Sequence, residues 1–358
     1  MTSITKEEKI ENKKRRLLLL ILLLACTMVL SISATFAWFT SNRVVTVDDL
    51  QVNVTAVNGL QISADAENWK TRIDKDDLIN NRGENFNQLP SVLSNVSSAG
   101  EFGTDGHLKI FYGDIQECDG DDCYLLNTSP ASTTSACYDK TFSGSPADND
   151  DDKCKDNVYL MAFNIYLKLD GEFADSVDLR LTQNAGVRSI GKRDMGIQNT
   201  ARIAFIEEGF VDKDTYLDGD GETSGIDLIK SKMNTAGGNA IIWEPNYNAH
   251  TQAGYANAAK YNIEADGTSK FVYKGVKAST TGVPLYNTND AAYGDYFAIP
   301  SRLISTSSSG EERSTTIKLN VGVTKLRVYF WVEGQDVDTQ NEAAGTDMQL
   351  NLEFSIPE

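Results

Sequence analysis

Ile317-Lys318-Leu319-Asn320-Val321-Gly322-Val323, Leu326-Arg327-Val328-Tyr329-Phe330-Trp331-Val332 and Met348-Gln349-Leu350-Asn351-Leu352-Glu353-Phe354-Ser355-Ile356 lie close together at the end of the chain. In each run every second side chain is apolar, the period of a strand with one buried face. Three such strands need a sheet to complete. Further back, Phe163, Ile165, Leu167 and Leu169 alternate with Asn164, Tyr166 and Lys168, and Val177, Leu179 and Leu181 repeat the spacing. The polar link Asp170–Ser176 suits a hairpin or a crossing between sheets. Near the start, Leu50, Val52 and Val54 mark a strand within Val44–Val57, which Leu60-Gln61-Ile62 extends. Strands with one wet face predict antiparallel pairing, and a sandwich buries the dry faces most economically. The expected fold class is therefore mainly all-β, an antiparallel β-sandwich.

Between these strands the sequence reads as long insertions. Residues 64–105 show few clear elements, and residues 244–300 are rich in Asn, Ala, Gly, Tyr and Asp. Arg202–Ile206, Ile241-Ile242-Trp243 and Phe271-Val272-Tyr273 are weaker strands, and Ile226–Met233 is the one short helix. Residues 113–156 hold Asp, Ser, Thr and Gly with almost no apolar period, and read as a loop insertion. Tyr329 and Trp331 fall on the polar face of their strand, where they either line a groove or lie beneath a second packed layer.

The start of the chain is of another kind. Lys13-Lys14-Arg15-Arg16 precedes an uninterrupted apolar run, Leu17–Ile32. A cationic flank before an apolar stretch is an export signal, with the flank held inside and the following chain carried across. Extended to Phe39, the run reaches roughly 20 residues, the length of a membrane-spanning hydrophobic helix. Residues 1–37 are thus either a signal peptide cut between Ala37 and Trp38 or a retained anchor, and residues 38–358 are the extracellular or cell-surface part. Six of the 33 basic and three of the 51 acidic residues precede residue 38, which leaves a net charge of −21 on the remainder. That charge excludes nucleic acid as a partner of the body.

Cys118, Cys123, Cys137 and Cys154 all lie in the 113–156 insertion, and Cys26 lies in the apolar run. An even number outside the membrane suggests two disulfides. Of three possible pairings, Cys118–Cys123 with Cys137–Cys154 keeps both bridges local. No Cys-x-x-Cys spacing supports zinc. Asp212-Lys213-Asp214 and Asp218-Gly219-Asp220-Gly221-Glu222 approach a calcium loop, but Thr223 and Ile229 stand where that loop needs Gly and Glu. Calcium is the only cofactor the sequence offers. Glu333, Asp336 and Asp338 read as solvated loop residues. The two histidines, His107 and His250, belong to no zinc-peptidase pattern, no Gly-x-Ser-x-Gly elbow occurs, and no carboxylate pair stands out. No catalytic residue is assigned, and a non-enzymatic protein is expected.

Ala34-Thr35-Phe36-Ala37-Trp38-Phe39-Thr40, after its leucine-rich core, resembles the leader of Gram-positive secreted proteins processed by a SipW-type signal peptidase, related to the TasA and camelysin biofilm-fibre family. Phe330-Trp331-Val332-Glu333-Gly334-Gln335-Asp336 is similar to the end of other secreted proteins with such leaders. The cysteine insertion departs from the compact fibre subunits. The resemblance implies a jelly-roll sandwich, recognition by signal peptidase, cleavage before Trp38, and self-assembly into fibres. The donated strand would lie within Trp38–Val47, with Val44, Val45 and Val47 as its apolar side chains, suited to an open sheet edge. The rival expectation is an anchored adhesin that holds a surface protein or glycan through its loops.

Overall fold

The computed structural model describes residues 45–55, 59–81, 87–117, 124–134, 159–171, 176–190, 196–217, 224–260, 271–284, 293–339 and 347–357. They form a mainly β structure with two large mixed sheets. The leader, Val44 and all four outer cysteines lie outside these residues, as do Ala37 and Trp38. Among the described residues no helix is long and apolar enough to cross a membrane.

The seven-stranded sheet runs in the order Arg313–Leu319, Val177–Leu181, Asp347–Ser355, Val45–Val54, Arg72–Asp74, with Gly186–Ile190 also on the last strand and Val92–Leu93 on the first. Here the expectation of antiparallel pairing fails. The first and last strands run parallel over their whole length, from Thr46 beside Asp347 to Val54 beside Phe354. Alternation along each strand reports which face is buried and carries no information on the direction of a neighbour. The ten-stranded sheet has Gly322–Glu333 at its centre, bonded to Met161–Leu169 on one side and Ala201–Asp212 on the other. Leu60–Ser63 pairs with Met161–Leu169 in this sheet, so the chain changes sheets directly after its first strand. The link after Leu169 is likewise a crossing between sheets, not a hairpin.

One core lies between the sheets. The dry faces of the first and last strands, including Val47, Leu50, Leu350 and Phe354, meet Phe163, Ile203, Leu326 and Phe330 of the other sheet. Phe205 and Phe354 touch edge to face across the gap, their centroids 5.8 Å apart. The apolar alternation at the chain end changes phase for the same reason. Ile317 and Leu319 face this core from one sheet, and Gly322 then turns the chain into the other. Val323 consequently faces away from the core it was expected to join, packing with Tyr166, Val211 and Ile229.

A third layer covers the outer face of the ten-stranded sheet. Segments that read as loops supply it. The 113–156 insertion begins as a ladder, Phe111–Glu117 against Tyr124–Pro130, that extends this sheet. Of residues 64–105, Arg72–Asp74 and Val92–Leu93 join the seven-stranded sheet and Asn95–Ser97 the ten-stranded one, while Glu101–Phe102 pairs with Gly238–Asn239 and gives Phe102 to the covering layer. Residues 244–300 contain the helices Gln252–Lys260 and Tyr293–Tyr296 and the strands Gly275–Val276 and Thr280–Pro284. The expected helix at 226–233 is Gly225–Ser231, its N-terminus capped by the Ser224 hydroxyl. Under this cover Phe102, Leu108, Ile242, Tyr273, Tyr329 and Trp331 form a second apolar cluster. Tyr329 and Trp331 are wholly buried, so they are packing residues and line no groove.

Candidate functional site

Three features carry chemistry. The first is the seam between the chain's first and last strands. Val45, Val47, Leu50, Val52 and Val54 project from one face of the first strand and are all buried. Two of the expected donor residues, Val45 and Val47, thus already occupy the core of their own chain. Val45 lies beside Leu93 and Val47 beside Met348. The strand is held laterally by the last strand and only briefly by Arg72–Asp74 and Val92–Leu93.

On the outer face of this seam lies a shallow polar cleft of about 570 Å³, lined by Gln51, Asn53, Arg72, Arg188, Gln349 and Asn351 among others. Its groups form a lattice. Asp49 Oδ2 accepts from Gln51 Nε2 at 2.8 Å and from Gln349 Nε2 at 2.6 Å, and Asn53 Nδ2 donates to Asn351 Oδ1 at 2.7 Å. Glu353 Oε1 accepts from Thr182 and Asn184, each at 2.8 Å.

The third feature is a buried polar cluster at the far end of the central strand Gly322–Glu333. Arg202 stands beside Trp331 in the antiparallel register, and both side chains enter the covered layer. Arg202 Nη2 donates to Glu244 Oε1 at 2.7 Å and Asp336 Oδ2 at 2.8 Å, while Nη1 donates to the carbonyls of Asn199 and Ala201. The Tyr273 ring lies 4.7 Å from the guanidinium carbon. These carboxylates raise the Arg202 pKa even though burial opposes its charge. Glu333 Oε2 accepts from Trp331 Nε1 at 3.0 Å and from the Tyr273 hydroxyl at 2.9 Å. Burial pushes Glu333 up to about 7, against the pull of the Ser97 hydroxyl, the Arg202 charge and the Trp331 and Tyr273 donors. Asp336 is likewise raised, first by burial and then by the Asp338 charge, with Arg202 acting in the opposite direction.

Beyond Asp336 the cluster reaches His250. Asp338 Oδ1 accepts from the Thr251 N–H at 2.8 Å and hydroxyl at 2.7 Å. Asp338 Oδ2 accepts from Asn199 Nδ2 at 3.2 Å and faces His250 Nδ1 at 3.0 Å. Burial disfavours a charged His250, but the bond to Asp338 and the Asp336 and Asp338 charges outweigh it and raise the pKa. Ligand atoms of His250, Asp336 and Asp338 lie within 4.8 Å of one another. The expectation that Glu333, Asp336 and Asp338 are solvated is therefore wrong: Glu333 and Asp338 are fully buried and Asp336 nearly so. The third layer covers them; Tyr273 and Trp331 satisfy Glu333, Arg202 satisfies Asp336, and Thr251, Asn199 and His250 satisfy Asp338. The available signal was the arginine opening Arg202–Ile206, together with acids at the end of a strand whose polar face carries Tyr329 and Trp331. His107 is remote in role, its pKa lowered mainly by burial.

Asp212 caps the short helix Lys213–Leu217 by accepting from the Thr215 N–H and hydroxyl, the ordinary use of an aspartate there. Residues 218–223, the rest of the expected calcium loop, lie outside the described residues.

The chain matches no family model, no curated protein sequence and no solved structure. The geometry above therefore carries the functional reading.

Proposed function

We propose that this protein is an exported, non-enzymatic surface or matrix subunit of jelly-roll type that assembles by exchanging its first strand between copies. The supporting observation is the parallel seam. The strand nearest the leader inserts five apolar side chains into the core and pairs chiefly with the last strand of the chain. An identical strand from another copy would make the same contacts, so exchange costs little beyond association itself. Before cleavage at Ala37–Trp38 the leader would tether this strand to the membrane and hold assembly back. The test is cross-linking in trans. Gln51 and Asn351 are neighbours across the seam, at a spacing compatible with a disulfide. Copies carrying Gln51→Cys and copies carrying Asn351→Cys are secreted together, and assembled material is mapped by mass spectrometry. Exchange gives a 51–351 disulfide between chains. Assemblies with no such bridge, while the doubly substituted single chain forms it internally, would refute the reading. Deleting residues 38–47 is a poorer test, because it also strips Val45 and Val47 from the core.

A second reading, a surface glycan-binding module, is favoured by the cleft of amides and arginines over the same seam. Its test is glycan binding that weakens at least tenfold on Arg188→Ala; binding unaffected by that change would exclude the cleft.

A further inference from the structure

We propose that His250, Asp336 and Asp338 form a closed binding site for a divalent transition cation of the Zn²⁺ or Mn²⁺ class, completed by the side-chain amide of Asn199. An imidazole with two carboxylates is a mixed nitrogen and oxygen donor set, which suits such ions better than all-oxygen cations.

The geometry converges on one oxygen. Asp338 Oδ2 has His250 Nδ1 at 3.0 Å and the Asn199 amide at 3.2 Å. Atoms bound to one dication at about 2.0–2.2 Å stand roughly 3–3.5 Å from each other at ordinary coordination angles. The other oxygen, Oδ1, is held by the Thr251 N–H and hydroxyl, the kind of outer support that orients a ligating carboxylate. Gly254 leaves no room for a side chain here, since an added Cβ would stand 2.2 Å from Asp338 Oδ1.

Asn199 gives an independent indication. The residue is 5% exposed, and its Oδ1 is buried without a hydrogen-bond partner although Nδ2 touches Asp338. Oxygen and nitrogen of an amide exchange places by a half-turn. Turned, Asn199 would set its oxygen against a carboxylate, which is repulsive unless a cation lies between them. His250 Nε2 is also buried and unpartnered, its ring edge-on to Phe271 at 4.8 Å. The charge balance points the same way. Glu244 and Asp336 share the buried guanidinium of Arg202, and Asp338 faces His250, so an imidazole deprotonated to act as a ligand leaves these three carboxylates to one guanidinium. Uncompensated buried charge is costly, and a dication would offset it. His250 and Asp338 are 5% and 0% exposed in their side chains, so the site is structural in kind and would pin the turn after the central strand to the segment before helix Gln252–Lys260.

The test uses the mature secreted protein, stripped with a chelator and then titrated separately with Zn²⁺, Mn²⁺ and Ca²⁺ while metal content and thermal unfolding are followed. One equivalent of Zn²⁺ or Mn²⁺ should bind and raise the melting temperature. Asp338→Asn and His250→Ala should weaken binding about 100-fold, and Asn199→Ala at least tenfold. Circular dichroism of the stripped variants separates lost binding from lost folding. His250→Gln, which keeps size and polarity, serves if His250→Ala does not fold. Binding of Ca²⁺ alone, no binding, or binding that survives both the His250 and Asp338 changes (as it would at the cysteines) overturns the proposal.

Discussion

Arg202 Nη2 meets Glu244 Oε1 at 2.7 Å with only 2% and 8% of the two side chains exposed. Such a pair is no simple gain over an apolar core, but removing one member strands the other without water. Arg202→Met therefore leaves Glu244 and Asp336 buried and uncompensated. The expected loss is roughly 3–5 kcal/mol in urea unfolding. Arg202→Lys should recover only part of it, because four hydrogen bonds from one planar group cannot be copied by an ammonium.

Lys325 makes stability rise with pH over a defined window. It is 7% exposed. Burial, aided by Arg327 and opposed by Glu208, lowers its pKa to about 8. Its amine donates to the carbonyls of Lys230 and Lys232 at the end of helix Gly225–Ser231. Because the folded pKa lies below the unfolded one, the unfolded chain binds the extra proton between the two values. This lysine is thus destabilising below about pH 8, and that penalty fades as pH rises toward the ordinary lysine value. The slope is at most about 1.4 kcal/mol per pH unit. Between pH 8 and 10 the wild type should gain stability relative to Lys325→Met. Equal slopes for the two proteins would contradict the assignment.

Tryptophan fluorescence distinguishes packing from ligand binding. Trp243 and Trp331 are fully buried, whereas Trp69 is half-buried. Iodide should quench the signal assigned to Trp69, by its loss in Trp69→Phe, and leave that of Trp331 nearly untouched. Trp331→Phe keeps the ring packing but removes a donor from Glu333. The expected cost is about 1–3 kcal/mol, with no direct effect on any glycan bound in the outer cleft.

What the sequence revealed follows from what a period can encode. Phe163–Leu169, Val177–Leu181, Leu326–Val332 and Met348–Ile356 announced their strands because each faces one continuous core, and the structure has strands at all four. Three things escaped. The parallel seam of Val45–Val54 with Asp347–Ser355 was hidden because alternation is blind to direction. The third layer was hidden because its elements are short and polar, such as Glu101–Phe102 and Gly275–Val276, and owe their structure to the sheet beneath them. The buried cluster was hidden because an acid in a turn reads as solvated until its partner is placed. Arg202 and Asp336 are 134 positions apart, so nothing local joins them. Tyr329 and Trp331 on the second face of an apolar strand were the available warning, since both faces of such a strand are covered.

The corner between Leu319 and Gly322 supplies the sharpest contrast between two glycines. Gly322 opens the central strand at φ +137°, and a Cβ there would stand 2.3 Å from the Val211 carbonyl oxygen in the adjacent strand. Gly186, which also opens a strand, has no atom within 4 Å of the same position and no left-handed backbone. Gly322→Ala must either strain the backbone or push the central strand away from Ala201–Asp212, at a cost of roughly 1–3 kcal/mol for the backbone alone. Gly186→Ala adds a side chain into open space and restricts the unfolded chain, and should stabilise by about 0.4–1 kcal/mol. Paired urea titrations read both effects. Equal responses would mean that the chain passes from one sheet to the other without the close approach at Val211, and that the phase change between Leu319 and Leu326 has another cause.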